Sequence, residues 1–563
     1  MIGLDSWLGR AGRVFALVAV GCAGGGGSGE ATGTEAGTGG STGSAGSSGS
    51  AGSSGSTGTS AASESTSAAT TESIPDLPFG IVCDPDAGGP YWVLEGETVA
   101  ATITCKTGLG LAGSDFTIEP MPAGATYDAD TATLHWTPGL DQGAVYNLTV
   151  TAVPSGEFAP LKIGVADRWD APGNVPVVDP LIYTEEYGLP VLHLFPSPTI
   201  DANTQTPATV IYRGHTYSAE AKYRGAASLG YPKKSYTLKF AKDDKFRDPA
   251  YDFVDKRSVV LISTFDDNAY VRQRLAYELW NLLDPDHIQV QVYSGVVFVD
   301  NQYWGLYTFA DHVDGYLMED HGLDQGGDLF KARTHDANFR MVRANNQPKS
   351  TPHDGLTKEE GLPLDGQPGA YADLDALVTF VATASDADFL AQIDGMITRE
   401  EYEDWWIFVS LIMGDDSAGK NSYHYHDPIA DGPWRFVPWD FNDSFGQTWQ
   451  TARKGFTADP AGYQWANELF ARFLELPTIG DPLRARYGEV LGGLYKVDDV
   501  LALTDAMIAE TAESARRDEV RWVDQYRNYG GWNWRKDFTT YEQEVVYLRQ
   551  WIKDRWAFVD GVY

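Results

Sequence analysis

Only three cysteines occur in 563 residues, Cys22, Cys83 and Cys105, too few for a scaffold framed by disulfides. Basic residues are also scarce. The 42 Lys and Arg face 78 Asp and Glu, leaving a formal net charge of −36. A surface that acidic repels phosphate backbones and anionic lipid, so nucleic acid is excluded as a partner. A basic peptide or protein would be attracted instead. Long apolar runs are missing too: VFALVAV, Val14 to Val20, is too short to span a bilayer. What is present suffices for a large core, since 43% of the residues are hydrophobic and the length allows two or three domains.

Arg10 and Arg13 precede that apolar run and Gly21-Cys22 follows it, the order of an export signal. A Cys after the small residue resembles a bacterial lipoprotein box. The resemblance implies residues 1–22 as signal, lipid on Cys22, and an outer-membrane or cell-surface location, with the membrane touched only through that lipid. A plain signal peptide with secretion, or a buried apolar strand, stays open, because Ala19 stands where Leu or Val is usual and Asp5 is odd in a positive flank. In an oxidising compartment Cys83 and Cys105 are an even pair, expected as a disulfide; the alternative is two small buried core residues. Residues 23–73 are Gly, Ser, Thr and Ala with scattered Glu, which cannot bury a core and predict a flexible tether.

From 74 to 165 short β-rich runs alternate between Pro, Gly and Asp punctuation, which predicts an antiparallel all-β sandwich. PAGATYDADTATLHWTPGLDQGAVYNLTVTA resembles the immunoglobulin-like modules of bacterial surface proteins. From 166 to 563 one larger α+β unit is expected. GHTYSAEAKYRG and KKSYTLKF flank AASLGYP as a hairpin. A helix follows, capped by Asp266 or Asp267, with Val271, Leu275 and Leu279 on one face and Arg274 and Glu278 paired i,i+4. Thr398 and Glu401 predict a capping box before the apolar helix WWIFVSLIM.

That helix stops at Gly414, where GDDSAGKNSYHYHDPIADGPWRFVPWDFNDSFG begins. Two strand patterns, SYHYH and WRFVPW, flank the turn DPIADG, so a hairpin should carry Asp440 back toward Asn421 and Asp416. Phosphoryl transfer needs such a set: a carboxylate near the attacking hydroxyl, and an amide and a second carboxylate for Mg²⁺. Protein kinases place an Asp and an Asn four residues apart in the catalytic loop, then a hairpin, then a metal-binding Asp-Phe-Gly. Asp416 to Asn421 keeps that spacing, and Asp440-Phe441 begins the next turn. His-Arg before the Asp is absent, and Asn442 holds the Gly position. Asp and Asn are also common turn residues, so the spacing alone is weak.

In order, YRGAASLGYPKKSYTLKF, DDNAYVRQRLAYELWNLL, QYWGLYTFADHVDGYLMED, DLFKA, GDDSAGKNSYHYHD and RFVPWDFNDSFG resemble the CotH family, spore-coat-type atypical protein kinases. The resemblance implies an atypical kinase-like domain using ATP and Mg²⁺, or Mn²⁺, to phosphorylate Ser or Thr of a protein, with a basic or Ser-rich substrate suiting the acidic surface. It casts Asp416 as base and Asn421, Asp440 and Asn442 as metal ligands. It places Arg224, Lys233 and Lys234 near the phosphates, Lys331 as a second phosphate-lysine candidate, Glu278 as partner of such a lysine, and Asp311 where the family has Glu. Ala226-Ala227 and Asn442 depart from the family pattern, which puts a pseudokinase in play. Bland readings stand beside these: solvated strand-end lysines, and Arg224 in a surface pair. On the same fold a silent surface adhesion or matrix-assembly protein is the rival function. A Ca²⁺ module is the weaker third, since the Asp415 to Asn421 loop lacks the EF-hand ligand spacing.

Overall fold

A computed structural model describes residues 82–84, 91–102, 104–106, 116–153, 156–173, 178–532 and 538–563. Cys22, the signal and the 23–73 tether lie outside the described residues. Val82–Asp84 pairs antiparallel with Thr104–Lys106, in a register that sets Cys83 opposite Cys105. The side chains of both cysteines lie outside the described residues.

The following strands make two sheets about one core. The larger runs Tyr91–Leu94, Phe158–Ala166, Ala144–Ala152, Phe116–Glu119, and the smaller Val99–Thr102, Thr133–Trp136, Thr126–Asp128. Alternation turns Leu134, Trp136, Leu148, Val150 and Ile163 inward. One pairing departs from the antiparallel expectation: Tyr91–Leu94 runs parallel to Phe158–Ala166. The first strand lies beside the last, and the intervening chain is long enough for a crossover. The sheets meet the rest of the chain through ion pairs. Lys162 pairs with Glu185 at 2.9 Å, and Arg517 bonds both Glu186 (3.0 Å) and the Asp167 carbonyl (2.7 Å).

Beyond Asp167 the α+β unit begins with a sheet that closes on itself. Its order is Glu185–Glu186, Leu189–Pro196, Thr206–Tyr212, His215–Arg224, Ser235–Phe240, Ser258–Ile262, Gln302–Asp311, Val292–Val299, and Leu189–Pro196 also pairs with Val292–Val299. Closure satisfies strand edges that would otherwise stay open. Tyr212, Tyr236, Phe240, Phe246, Tyr293 and Phe309 fill one face. Lys222 and Arg224, alternating with the buried Ala221, therefore point outward from it.

Helix Arg272–Leu283 packs on that outer face. It starts one residue after the expected apolar position Val271, and Asp267 accepts from the Arg272 amide at 2.8 Å. The expected Arg274–Glu278 pair is not the hydrogen-bonded one. Arg274 is buried and bonds Glu510 (2.7 Å) and Ser294 (3.0 Å), with the Glu278 charge adding to its stabilisation.

A second sheet has the order Leu356–Glu360, Asp328–Ala332, Ser422–His426, Arg435–Pro438. The last two strands are the expected hairpin, with Tyr423 opposite Val437 and Ser422 opposite Pro438. Helix Arg399–Ile412 packs against them, buried on nearly every side. The expected capping box at its start is absent: Thr398 makes no side-chain cap. Glu401 is fully buried and is drawn instead to Arg435 (2.8 Å) and the Phe436 amide (2.9 Å), because the guanidinium offers a stronger partner than an N-cap amide. The box appears at Thr540 and Gln543, opening helix Tyr541–Asp560. Among the described residues no helix is long and apolar enough to cross a membrane.

Candidate active site

Helix Arg399–Ile412 ends at Met413, which is left-handed (φ +55°), and the chain turns through Asp415–Ser417. Asn421 (φ +55°) and Asp440 (φ +60°) are left-handed as well. Asn and Asp tolerate this region better than other non-glycine residues. The two positions therefore have a backbone reason for their identity as well as a chemical one. The hairpin between them returns the chain, and Ser417 Oγ donates to the Asp440 carbonyl at 2.7 Å.

Asp416 is buried and fully engaged. Asn421 Nδ2 donates to its Oδ2 at 2.9 Å, while Lys420 Nζ (2.8 Å) and His335 Nε2 (3.3 Å) approach Oδ1. Burial pushes this carboxyl up, but the His335 hydrogen bond and the Lys420 charge prevail and hold it below the usual range. Asp440 goes the other way. Burial raises it and Asp416 adds to the rise, against the opposing charges of Arg224, Lys331 and Lys420. Its backbone amide donates to Tyr277 Oη at 3.0 Å, and Gln273 Nε2 donates to its Oδ1 at 3.1 Å.

Two cations converge on Trp439, the residue before Asp440. The Arg224 guanidinium lies 4.8 Å from its ring centroid and Lys331 Nζ 5.9 Å, with Tyr423 at 5.0 Å from the same Nζ. Neither cation makes an ion pair among the described residues. Burial first, then the neighbouring Arg224 charge, lowers the Lys331 ammonium to about 8. DLFKA is the strand that carries Lys331 to this point, pairing it with Tyr423.

Other expected site residues lie elsewhere. Lys233 is fully buried, paired with Asp518 and bonded to the Leu306 carbonyl at 2.6 Å. Its charge is consumed in the core, and burial pulls its pKa down. Lys234 folds back onto the Leu229 carbonyl of its own hairpin loop. Asp311 is buried against Lys256 (3.0 Å) and the Gln291 amide (2.9 Å). The carboxylate paired with Lys233 is Asp518, not the expected Glu278. Asp443 does not stand in for Asn442, because Lys454 holds it together with Asp415. Asn442 instead donates from Nδ2 to Asp266 Oδ2 at 2.7 Å.

Sequence reading missed Lys420, His335, Trp439, Gln273 and Asp266. Lys420 and Trp439 adjoin the expected Asn421 and Asp440 and were open to notice. The other three arrive from distant segments, and no spacing announces them.

A cleft of about 340 Å³ is lined by Lys222, Thr237, Lys239, Ser258, His312 and Asp314 among others, and none of Arg224, Lys331, Asp416, Asn421 and Asp440 lines it. Lys222 and Arg224 are two apart on one strand and share its outward face. No set of three or more His, Cys, Asp and Glu poised for a metal occurs among the described residues. The expected ligands Asn421, Asp440 and Asn442 include a single acid and two amides. Their oxygen chemistry fits a hard cation. Gln273, which holds Asp440, keeps a buried Oε1 with no hydrogen-bond partner, a polar atom that a cation or its water would satisfy.

No curated protein matches the chain. The family described as CotH kinase protein matches residues 221–559, which take in the later strands of the closed sheet, the hairpin and the helices that frame this site. With more than half its length so matched, the chain belongs to the CotH kinase protein family.

Proposed function

We propose that this protein is an exported, lipid-tethered protein kinase that transfers the γ-phosphate of ATP to Ser or Thr of a protein substrate. The convergence of Asp416, Asn421 and Asp440 with Arg224 and Lys331, two cations that make no ion pair among the described residues, carries the reading. The nucleotide's phosphates would lie toward Arg224 and Lys331, the two cations beside Trp439. Asn421, Asp440 and Asn442 would hold Mg²⁺, which when bound supplies positive charge against the phosphate oxygens.

The chain's own groups then divide the work. Asp416 accepts the substrate hydroxyl proton as that oxygen bonds the γ-phosphorus and the bond to the β-phosphate oxygen breaks, releasing ADP. Lys420, 2.8 Å from Asp416, would neutralise charge on the transferring group. The acidic surface draws a basic or Ser-rich protein. The N-terminal lipid at Cys22 and the 23–73 tether would hold the enzyme at the membrane surface, and the strands from 74 to 165 would act as an immunoglobulin-like spacer.

Purified protein should incorporate γ-phosphate, into itself or a basic Ser-rich protein, only with Mg²⁺ or Mn²⁺ present. Absence of both transfer and Mg²⁺-ATP stabilisation would leave the silent adhesion reading.

Lys331 offers a sharper check. Its ammonium is charged below about pH 8 and neutral above it. ATP affinity should therefore fall as the pH rises from 7 to 9. Lys331→Met should weaken ATP binding about tenfold or more, the scale of a charge-assisted hydrogen bond. Lys331→Arg, which cannot deprotonate, should keep affinity and flatten the alkaline decline.

A further inference from the structure

Asp266 is a buried carboxylate with no ion-pair partner among the described residues. Only neutral donors reach it: Asn442 Nδ2 at 2.7 Å and Tyr231 Oη at 3.4 Å. Its neighbour Asp267 is neutralised by Arg272. An ionised carboxylate kept from water without a counter-charge is costly.

The hydrogen bond to Asn442 also settles which way that amide points. A carboxylate accepts and does not donate, so Asn442 presents Nδ2 to Asp266 and turns Oδ1 away from it. Oδ1 accepts no hydrogen bond from a described residue. One further amide clamps the pair. Gln447 is fully buried, and its Nε2 donates to both the Asp266 carbonyl (2.9 Å) and the Asn442 carbonyl (3.3 Å). Gln273 holds Asp440, two residues before Asn442, and keeps its own buried Oε1 unsatisfied.

The candidate metal ligands Asn421, Asp440 and Asn442 carry one negative charge against a cation of charge two. We propose that Asp266 is the positioning residue of this metal site: it fixes Asn442 so that Oδ1 faces the cation and supplies, through that amide, the second negative charge. The proposal rests on the nucleotide-site reading above. Asp266 would act through Asn442, much as outer-shell carboxylates orient the ligands of other metal sites.

A reciprocal exchange tests it in the full chain. The measured quantity is the Mg²⁺ concentration giving half-maximal thermal stabilisation at one fixed, saturating concentration of a non-hydrolysable ATP analogue. Asp266→Asn should raise that concentration about tenfold or more. Asn442→Asp alone should bring no gain, because two carboxylates at hydrogen-bond distance share a proton. The double exchange, Asp266→Asn with Asn442→Asp, rebuilds a carboxylate–amide pair and should return to within about twofold of the starting protein. It also keeps the test alive if either single variant folds poorly. An unchanged Asp266→Asn, a tighter Asn442→Asp, or a double variant as weak as Asp266→Asn would each overturn the proposal while leaving the kinase reading intact. If the starting protein is not stabilised by Mg²⁺ and the analogue at all, the nucleotide-site reading itself falls, and the role of Asp266 with it.

Discussion

Asp416→Asn is expected to lower phosphoryl transfer by about three orders of magnitude, within the range typical of a lost general base, while Mg²⁺-ATP stabilisation persists. The substitution is isosteric and can still accept from Asn421 Nδ2, which now bonds Oδ2 at 2.9 Å. What it removes is the negative charge shared with Lys420 and His335. Asp440→Ala should separate from it cleanly, abolishing stabilisation by Mg²⁺-ATP together with transfer. The pH dependence follows from the same geometry. Despite burial, His335 and Lys420 hold Asp416 below the usual carboxylate range, so it stays ionised through neutral and mildly acidic solution. Any acid limb of activity above pH 5 must come from another group. A variant that loses both binding and transfer, or neither, would remove Asp416 from the role of base.

The largest stability effect should come from Arg272→Met. Arg272 is fully buried and joins three separated parts of the chain. It pairs with Asp267 and Glu544, each at 2.6 Å, and donates to the Phe445 carbonyl at 3.2 Å. Met fills a similar volume, so the loss is mainly electrostatic. Removing one partner of a buried ion pair costs about 3–5 kcal/mol, because the other charge stays buried. Arg453 also pairs with Glu544, at 2.6 Å, and should keep the loss toward the lower end. Denaturant titration reads the change directly. Phe445 sits in the turn after Asp440, so nucleotide stabilisation should weaken in the same variant. A change within about 0.5 kcal/mol, the scale of ordinary surface substitutions, would show that the network is not a brace.

Local pattern made half of the site legible. The spacing from Asp416 to Asn421, the alternation of SYHYH and the returning strand before Asp440 are properties of neighbouring residues, and strand pairing follows from them. Alternation likewise placed the hairpin ending at Arg224. The α+β class followed from the order of strand and helix patterns, and the CotH resemblance agrees with the family match over 221–559.

The failures share one cause. Lys233 and Lys234 are adjacent and read alike, yet one lies at the core beside Asp518, 285 residues away, and the other folds onto its own loop. Arg274 found Glu510 rather than Glu278, and Glu401 left its cap for Arg435. In each case a long side chain chose the strongest partner that packing brought near, and sequence spacing carries no record of that.

By itself the sequence determined the elements, the hairpin and the chemical types at Asp416, Asn421 and Asp440, because these depend on local backbone preference and side-chain periodicity. Only the tertiary structure decided which charges remain for a ligand. It buried Lys233 in an ion pair, left Arg224 and Lys331 beside Trp439 with no ion pair among the described residues, and set Asp266 against Asn442. Coulombic pairing depends on distance through space, and folding sets those distances.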